Sequence, residues 1–373
     1  MSVPSSRSAR RAVAALGLAA AALVAAACSG SSSSSNTASG APATTAAGGA
    51  AAGAGSSGTA GTASPTGTQA APVPSKGCGT STATAMDKQR QEVAAGGDDR
   101  WFLLTVPAAH DGKTPLPLVL DFHGLMEGAQ IHSTMTKFSD LAQQEGFVVA
   151  FPHGTGNPVH WNANLEGPNP DLEYFDAMLD QIGSQLCIDT SRVYSTGLSY
   201  GAIMTSMLAC TRADKLAAIA PVDGVQLPDG CSPSKTLPVL AMHGTADPIL
   251  RFNGGVGSMV NSLLAGQLAE NTETTQPPYD LNGEGYPKTV AGWAAKNGCD
   301  PTPKDTKVSD TVIRRVYSCP QGHDVEFVIV VGGGHSWPGS EFSRSIEKVV
   351  GPTTFDIDAT KAIWEFFQRY PAS

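Results

Sequence analysis

The sequence predicts an α/β domain, a mostly parallel sheet with helices packed on both faces. Two observations carry that expectation. Short apolar runs rich in β-branched residues recur between turn-forming residues, at 101–106, 116–122, 147–151, 192–196, 217–222, 237–242 and 325–331. Between several of them apolar residues return at helical spacing. Strands apolar along most of their length, alternating with helices, are what a sheet buried on both faces requires.

From the N-terminus, residues 1–27 have a basic start (Arg7, Arg10, Arg11), then an uncharged run, then Cys28 preceded by small residues. This has the form of an export signal, removed from the mature chain. It resembles a bacterial lipoprotein signal, with Ala25 where Leu, Val or Ile is more usual; the arginine pair is also compatible with twin-arginine export. Cys28 is then the expected lipid anchor and the expected point of membrane contact. As a permanent span the uncharged run is short against the roughly 20 residues a bilayer needs. Residues 28–75 are almost wholly Ala, Gly, Ser, Thr and Pro. Such a composition cannot bury enough apolar surface to offset its ordering entropy, so a flexible tether is expected. Residues 76–373 are left as the catalytic domain.

Within that domain, Phe175, Leu179, Ile182 and Leu186 mark one helix, and Ile203, Met207 and Ala209 another. Ile363, Phe366 and Phe367 mark a last helix, with Asp358 placed to cap it. The stretch 253–286 breaks the rhythm, being rich in Gly, Asn, Thr and Pro, with helical character only at 259–268. It reads either as a lid or as a passive surface insertion.

Charge and cysteine usage narrow the function. Without residues 1–27 the chain has 21 basic and 33 acidic residues, a net of −12, which argues against nucleic acid or anionic lipid as a partner. Besides Cys28 there are six cysteines: Cys78, Cys187, Cys210, Cys231, Cys299 and Cys319. An even set in an exported chain implies three disulfides, and spacing alone leaves the pairing open. No CxxC or HExxH occurs, so no metal site is expected. No cofactor is called for, and a monomer is expected.

The chemistry is carried by Gly197-Leu198-Ser199-Tyr200-Gly201, a GxSxG between a predicted strand and a predicted helix. In that context the pentapeptide is a nucleophile elbow, whose serine sits on a tight turn that neighbouring glycines allow the backbone to approach. Elsewhere it would be only a Gly-rich turn with a capping serine. A serine hydroxyl needs a histidine base, and the base needs a carboxylate to hold its tautomer. The α/β-hydrolase fold supplies these in the chain order Ser, acid, His. His335 follows the last strand on a glycine-rich loop and is the expected base. His323 precedes that strand and belongs at the opposite edge, and His243 and His153 read as turn or packing residues. For the acid, Asp247 and Asp223 both follow strands; position favours Asp247 without excluding Asp223.

An ester oxyanion needs preorganised amide donors. Tyr200, after the nucleophile, offers one, and Leu125 in the turn after strand 116–122 is the candidate for the second, with His123 a structural residue of that turn. Trp161 and Trp337 are candidates for an acyl-site wall on which an aromatic acid would stack, or else plain packing.

The segments "PLVLDFHG", "CIDTSRVYSTGLSYGAIMTSMLAC", "HGTADPIL", "GWAAKNGC" and "GGGHSWPG" occur in this order. In this the chain, from Gly77 to Tyr370, resembles the polyhydroxybutyrate depolymerase or LpqC-like esterases, which overlap with feruloyl esterases of carbohydrate esterase family one. The resemblance implies Ser199 as nucleophile, Asp247 as acid and His335 as base. It also implies the cysteine pairs 78 with 187, 210 with 231, and 299 with 319. Tyr200, where relatives often carry a small residue, and the long stretch after Asn253 depart from the pattern. The expected activity is hydrolysis of a carboxylic ester, feruloyl or acetyl on plant polysaccharide. The competing readings are a short-chain polyester such as polyhydroxybutyrate, and a non-catalytic surface binding lipoprotein.

Overall fold

The computed structural model describes residues 71–370, apart from 166 and 258–277. The export signal, Cys28, nearly all of the tether and the helix expected at 259–268 therefore lie outside the described residues. No helix among the described residues is long and apolar enough to cross a membrane.

In chain order the elements are β1 (Met86–Ala95), β2 (Asp98–Val106), β3 (Leu116–Phe122), α1 (Gly128–Thr136), α2 (Phe138–Glu145), β4 (Val148–Pro152), α3 (Pro170–Gln185), β5 (Ile188–Leu198) and α4 (Tyr200–Thr211). There follow β6 (Ala218–Val222), β7 (Val239–Gly244), α5 (Tyr286–Lys296), β8 (Lys304–Lys307), β9 (Val312–Tyr317), β10 (Val325–Val330), α6 (Glu341–Ser345), α7 (Glu347–Val350) and α8 (Ala359–Phe367). The strands form one sheet in the order β1-β2-β4-β3-β5-β6-β7-β10-β9-β8. From β4 to β10 neighbours run parallel; β1 and β2 at one end, and β9 and β8 at the other, are antiparallel. This is the α/β-hydrolase fold.

The period of two along each central strand divides the core. In β3, Leu116, Leu118, Leu120 and Phe122 face a cluster that includes Phe175, Met178, Ile182, Met204, Met207 and Trp293 of α3, α4 and α5. Val119, on the other face, joins a cluster that includes Phe138, Leu141, Ile363, Phe366 and Phe367 of α2 and α8. Both faces being apolar, the sheet is covered twice, as its strand composition demands. Asp358 caps α8, its Oδ1 accepting from the Lys361 amide at 3.1 Å.

The strands that lacked an apolar signal are the outer ones. β1 reads MDKQRQEVAA and β8 KDTK, with every residue of β8 exposed. Such edges carry polar residues because at least one face meets water, which also discourages pairing with other chains. Contacts reach a few residues N-terminal of the expected domain start at 76. The Val73 amide donates to Asp189 Oδ1 at 2.9 Å and Ser75 Oγ to the Leu186 carbonyl at 2.8 Å, so ordered packing already begins within the stretch assigned to the tether. Three disulfides join Cys78 to Cys187, Cys210 to Cys231 and Cys299 to Cys319, the pairing the resemblance implied.

Candidate active site

Parallel strands all end on one rim, where their carboxyl ends leave a crevice. Ser199 sits on it between β5 and α4 with φ 57° and ψ −117°. A non-glycine residue there stores strain of about 1–3 kcal/mol, held by the structure around it. Gly201 is required because a Cβ on it would lie 1.9 Å from the Phe122 carbonyl oxygen, so α4 starts in direct backbone contact with the end of β3. The Ser199 amide donates to the Val222 carbonyl of β6 at 2.9 Å, and the residue is only half-buried.

His335 lies in the loop after β10, and its Nδ1 donates to Asp247 Oδ2 at 2.7 Å. Asp247 Oδ1 accepts the Ile249 and Leu250 amides at 2.7 and 2.8 Å, so the same side chain makes an Asx turn and holds the imidazole. Burial alone would raise the Asp247 pKa. The charge and hydrogen bond of His335, with His243 alongside, outweigh it and keep the carboxyl well below the usual carboxylate range. Burial disfavours the His335 imidazolium in turn, but the charge of Asp247, then those of Asp223 and Glu127, lift its pKa to about 9. Among the described residues no hydrogen-bond partner falls to His335 Nε2, and none links it to Ser199 Oγ. Hydrogen bonds of this kind often tighten only when substrate is bound.

Asp223, the rival acid, ends β6 in the same pocket. It does not bond His335; its Oδ1 accepts the Gly244 amide at 3.1 Å and its Oδ2 the Ser336 amide at 2.8 Å. His243, expected to be a turn or packing residue, is better described as part of this pocket. Its Nε2 donates to the Leu250 carbonyl at 2.9 Å and lies 3.3 Å from Asp247 Oδ2, while its Nδ1 lies 3.7 Å from Asp223 Oδ1. Asp223, His243 and Asp247 form a buried group with the spacing of possible metal ligands. The two carboxylates are engaged with backbone amides and with His335, whereas His243 Nδ1 is buried without a hydrogen-bond partner among the described residues.

The turn after β3 carries Leu125. The amides of Leu125 and Tyr200 have no acceptor among the described residues, as a pair of oxyanion donors would require. Met126 holds φ 74°, with its amide on the Val159 carbonyl at 2.9 Å. Glu127 Oε2 accepts the Gly124 amide at 2.8 Å and His132 Nδ1 at 3.1 Å, and His132 Nε2 donates to Asp121 Oδ1 at 2.7 Å. This second carboxylate–histidine chain escaped the sequence reading. Its signal is Asp121, a carboxylate inside the otherwise apolar strand LPLVLDF, which burial obliges to find a partner.

Burial bears on several other expectations. Trp161 and Trp337, considered as an acyl-site wall, are each 1% exposed. Trp161 Nε1 donates to the His123 carbonyl and Trp337 Nε1 to Thr360 Oγ1, and both rings pack in the core, so neither face is open to an aromatic acid. His123 donates from Nδ1 to the Gly124 carbonyl and accepts the Gly154 amide at Nε2. Burial holds its pKa well below the usual value, in keeping with a structural role. His153 accepts the Ala129 amide at Nδ1 and stacks on Trp101. His323 bonds Thr236 just before β10, at the opposite edge of the sheet.

The strand order, the strained elbow and the buried acid–histidine pair define the class, an α/β-hydrolase with serine-type geometry. Comparison with known proteins agrees: residues 133–229, which contain Ser199, match the model of the prolyl oligopeptidase family. Among relatives, feruloyl esterase B of Piromyces equi is 27% identical over 64% of this chain and 42% of that protein. Feruloyl esterase D of Neurospora crassa is 27% identical over 81% of this chain and 92% of its own length. A bifunctional acetylxylan esterase/xylanase of Neocallimastix patriciarum is 31% identical over 39% of this chain and 21% of that protein. The chain thus spans less than half of two of these relatives and nearly all of the third.

Proposed function

We propose that this chain is an exported serine esterase that hydrolyses carboxylic esters through an acyl-enzyme, taking feruloyl or acetyl esters of plant polysaccharide. The observation that carries the reading is His335 Nδ1 at 2.7 Å from Asp247, on the rim that also presents the Ser199 elbow. Ser199 Oγ attacks the ester carbonyl as His335 Nε2 takes its proton. The oxyanion rests on the amides of Tyr200 and Leu125. His335 then protonates the departing alcohol, and water, activated by the same imidazole, releases the acid. Asp247 stays ionised throughout.

What supports the substrate class is the names of the relatives, feruloyl and acetylxylan esterases, over the shared stretch. Three disulfides support an oxidising compartment. Anchoring through Cys28 rests on the signal-like N-terminus alone.

The test is stoichiometric labelling of Ser199 by a fluorophosphonate, followed by parallel rates on methyl ferulate, an acetylated xylan and a hydroxybutyrate oligomer. No label on Ser199 in the folded protein would leave a binding protein on a hydrolase scaffold. Fastest turnover of the oligomer would move the substrate to short-chain polyesters.

A further inference from the structure

Asp223 is 2% exposed and holds φ 48°, a left-handed conformation that a buried non-glycine residue keeps only when its surroundings demand it. Its neighbours show the demand. The preceding residue, Val222, accepts the Ser199 amide, and a Cβ on the following Gly224 would lie 2.4 Å from the Ser199 carbonyl oxygen. One side-chain oxygen accepts the amide of Gly244, where β7 ends and the loop to Asp247 begins; the other accepts the amide of Ser336, next to His335. The two loops are themselves in contact, since a Cβ on Gly244 would lie 2.3 Å from the Gly333 carbonyl oxygen.

We infer that Asp223 is a positioning residue for the proposed reaction: its carboxylate ties the strand end before Asp247 to the loop carrying His335, next to the backbone that holds Ser199, and supplies a second negative charge behind the imidazole. This rests on the reading of Ser199, Asp247 and His335 as a triad. Two backbone N–H groups aimed at one carboxylate fix the strand end and the histidine loop at once. The ionisable groups facing the pocket are His243, Asp247 and His335, with Glu127 felt by His335 from the β3 turn and Tyr286 stacked on His243 at 3.6 Å. Burial, with the charge of Asp247 and against those of His243 and His335, pushes the Asp223 pKa up to about 6.

The test compares Asp223→Asn and Asp223→Gly in the full chain, on one ester, across pH. Asn tolerates the left-handed backbone and nearly matches the shape, but it turns an amide donor toward one of the two N–H groups. The expected result is a fall in kcat of about 10- to 100-fold with KM held within about twofold, since a misplaced base costs rate rather than binding. The acid limb of the kcat/KM profile moves to lower pH, because one negative charge near His335 is gone; a purely structural role would not move it. Gly relieves the backbone strain without restoring the carboxylate, so it falls at least as far. Parent-like kcat in Asp223→Gly, or an unmoved acid limb in Asp223→Asn, overturns the inference. Should Asn compromise folding, the rate of fluorophosphonate labelling against pH in Asp223→Gly reads the same point. His335→Ala run in parallel separates the two ideas: parent-like turnover there breaks the triad reading itself. Loss there with a parent-like Asp223→Asn breaks only this inference.

Discussion

Two buried histidines in this molecule look nearly alike. His335 sits 2.7 Å from Asp247 and His132 sits 2.7 Å from Asp121, and in each the carboxylate overcomes burial to raise the imidazole pKa to about 9. They differ in the second ring nitrogen. That of His132 is taken by Glu127 and the side chain is 0% exposed, whereas that of His335 meets no hydrogen-bond partner among the described residues and the side chain keeps 5% exposure. One imidazole is a charged bolt between two carboxylates beneath the β3 turn. The other leaves one nitrogen without a partner among the described residues, which is what the proposed base requires. An acid–histidine bond therefore does not by itself make a base.

Mutation should separate the two most sharply. Ser199→Ala and His335→Ala are each expected to lower kcat on the order of 10⁴-fold or more, while His132→Gln keeps measurable turnover. Steady-state rates on a single ester check this, and a His335→Ala enzyme near the parent rate would erase the distinction. For stability Ser199→Ala should be nearly silent, whereas losing either histidine leaves a buried carboxylate short of a partner. Removing His132 leaves Asp121 buried with Thr136 as its remaining side-chain donor, so His132→Gln should cost about 3–5 kcal/mol in urea unfolding.

pH sharpens the comparison further. His335 must be neutral to accept a proton, so activity should climb about tenfold per pH unit below its raised pKa and level off near pH 9. Both histidines have folded pKa values above the ordinary 6.5. The stability they contribute is therefore complete below about pH 6.5 and drains away as pH rises toward 9. Melting curves across that range should show activity and stability moving in opposite directions, with the stability slope shallower in His132→Gln. The smallest effect belongs to the indoles near the site. Trp161→Phe and Trp337→Phe each lose one buried hydrogen bond, about 1 kcal/mol, and should leave KM for methyl ferulate unchanged. A several-fold rise in KM would return those rings to the acyl site.

Much of the fold was readable because burial imposes pattern. The apolar runs at 116–122 and 325–331 coincide with β3 and β10 to within a residue, since strands buried on both faces have no position for a polar residue without a partner. β1 and β8 escaped because an edge strand answers to water and hydrogen bonding instead of burial. Helix α5 lay beside the irregular 253–286 stretch, and its apolar spacing was hidden by that context.

At the site the division is similar. The tight turn at Ser199 was legible because such an elbow needs small residues within two positions, and the His335 loop because glycines after the last strand are a local feature. The sequence alone determined the class of fold, the elbow, and the short list of acids and bases. Only the folded chain decided which aspartate meets His335, that Asp223 instead gathers two loop amides, that His243 stands between both carboxylates, and that Trp161 and Trp337 are core. The physical reason is distance along the chain. Asp247 and His335 are 88 residues apart and Asp223 and Ser336 are 113 apart, so their meeting depends on how six parallel strands are ordered side by side, which no local spacing encodes.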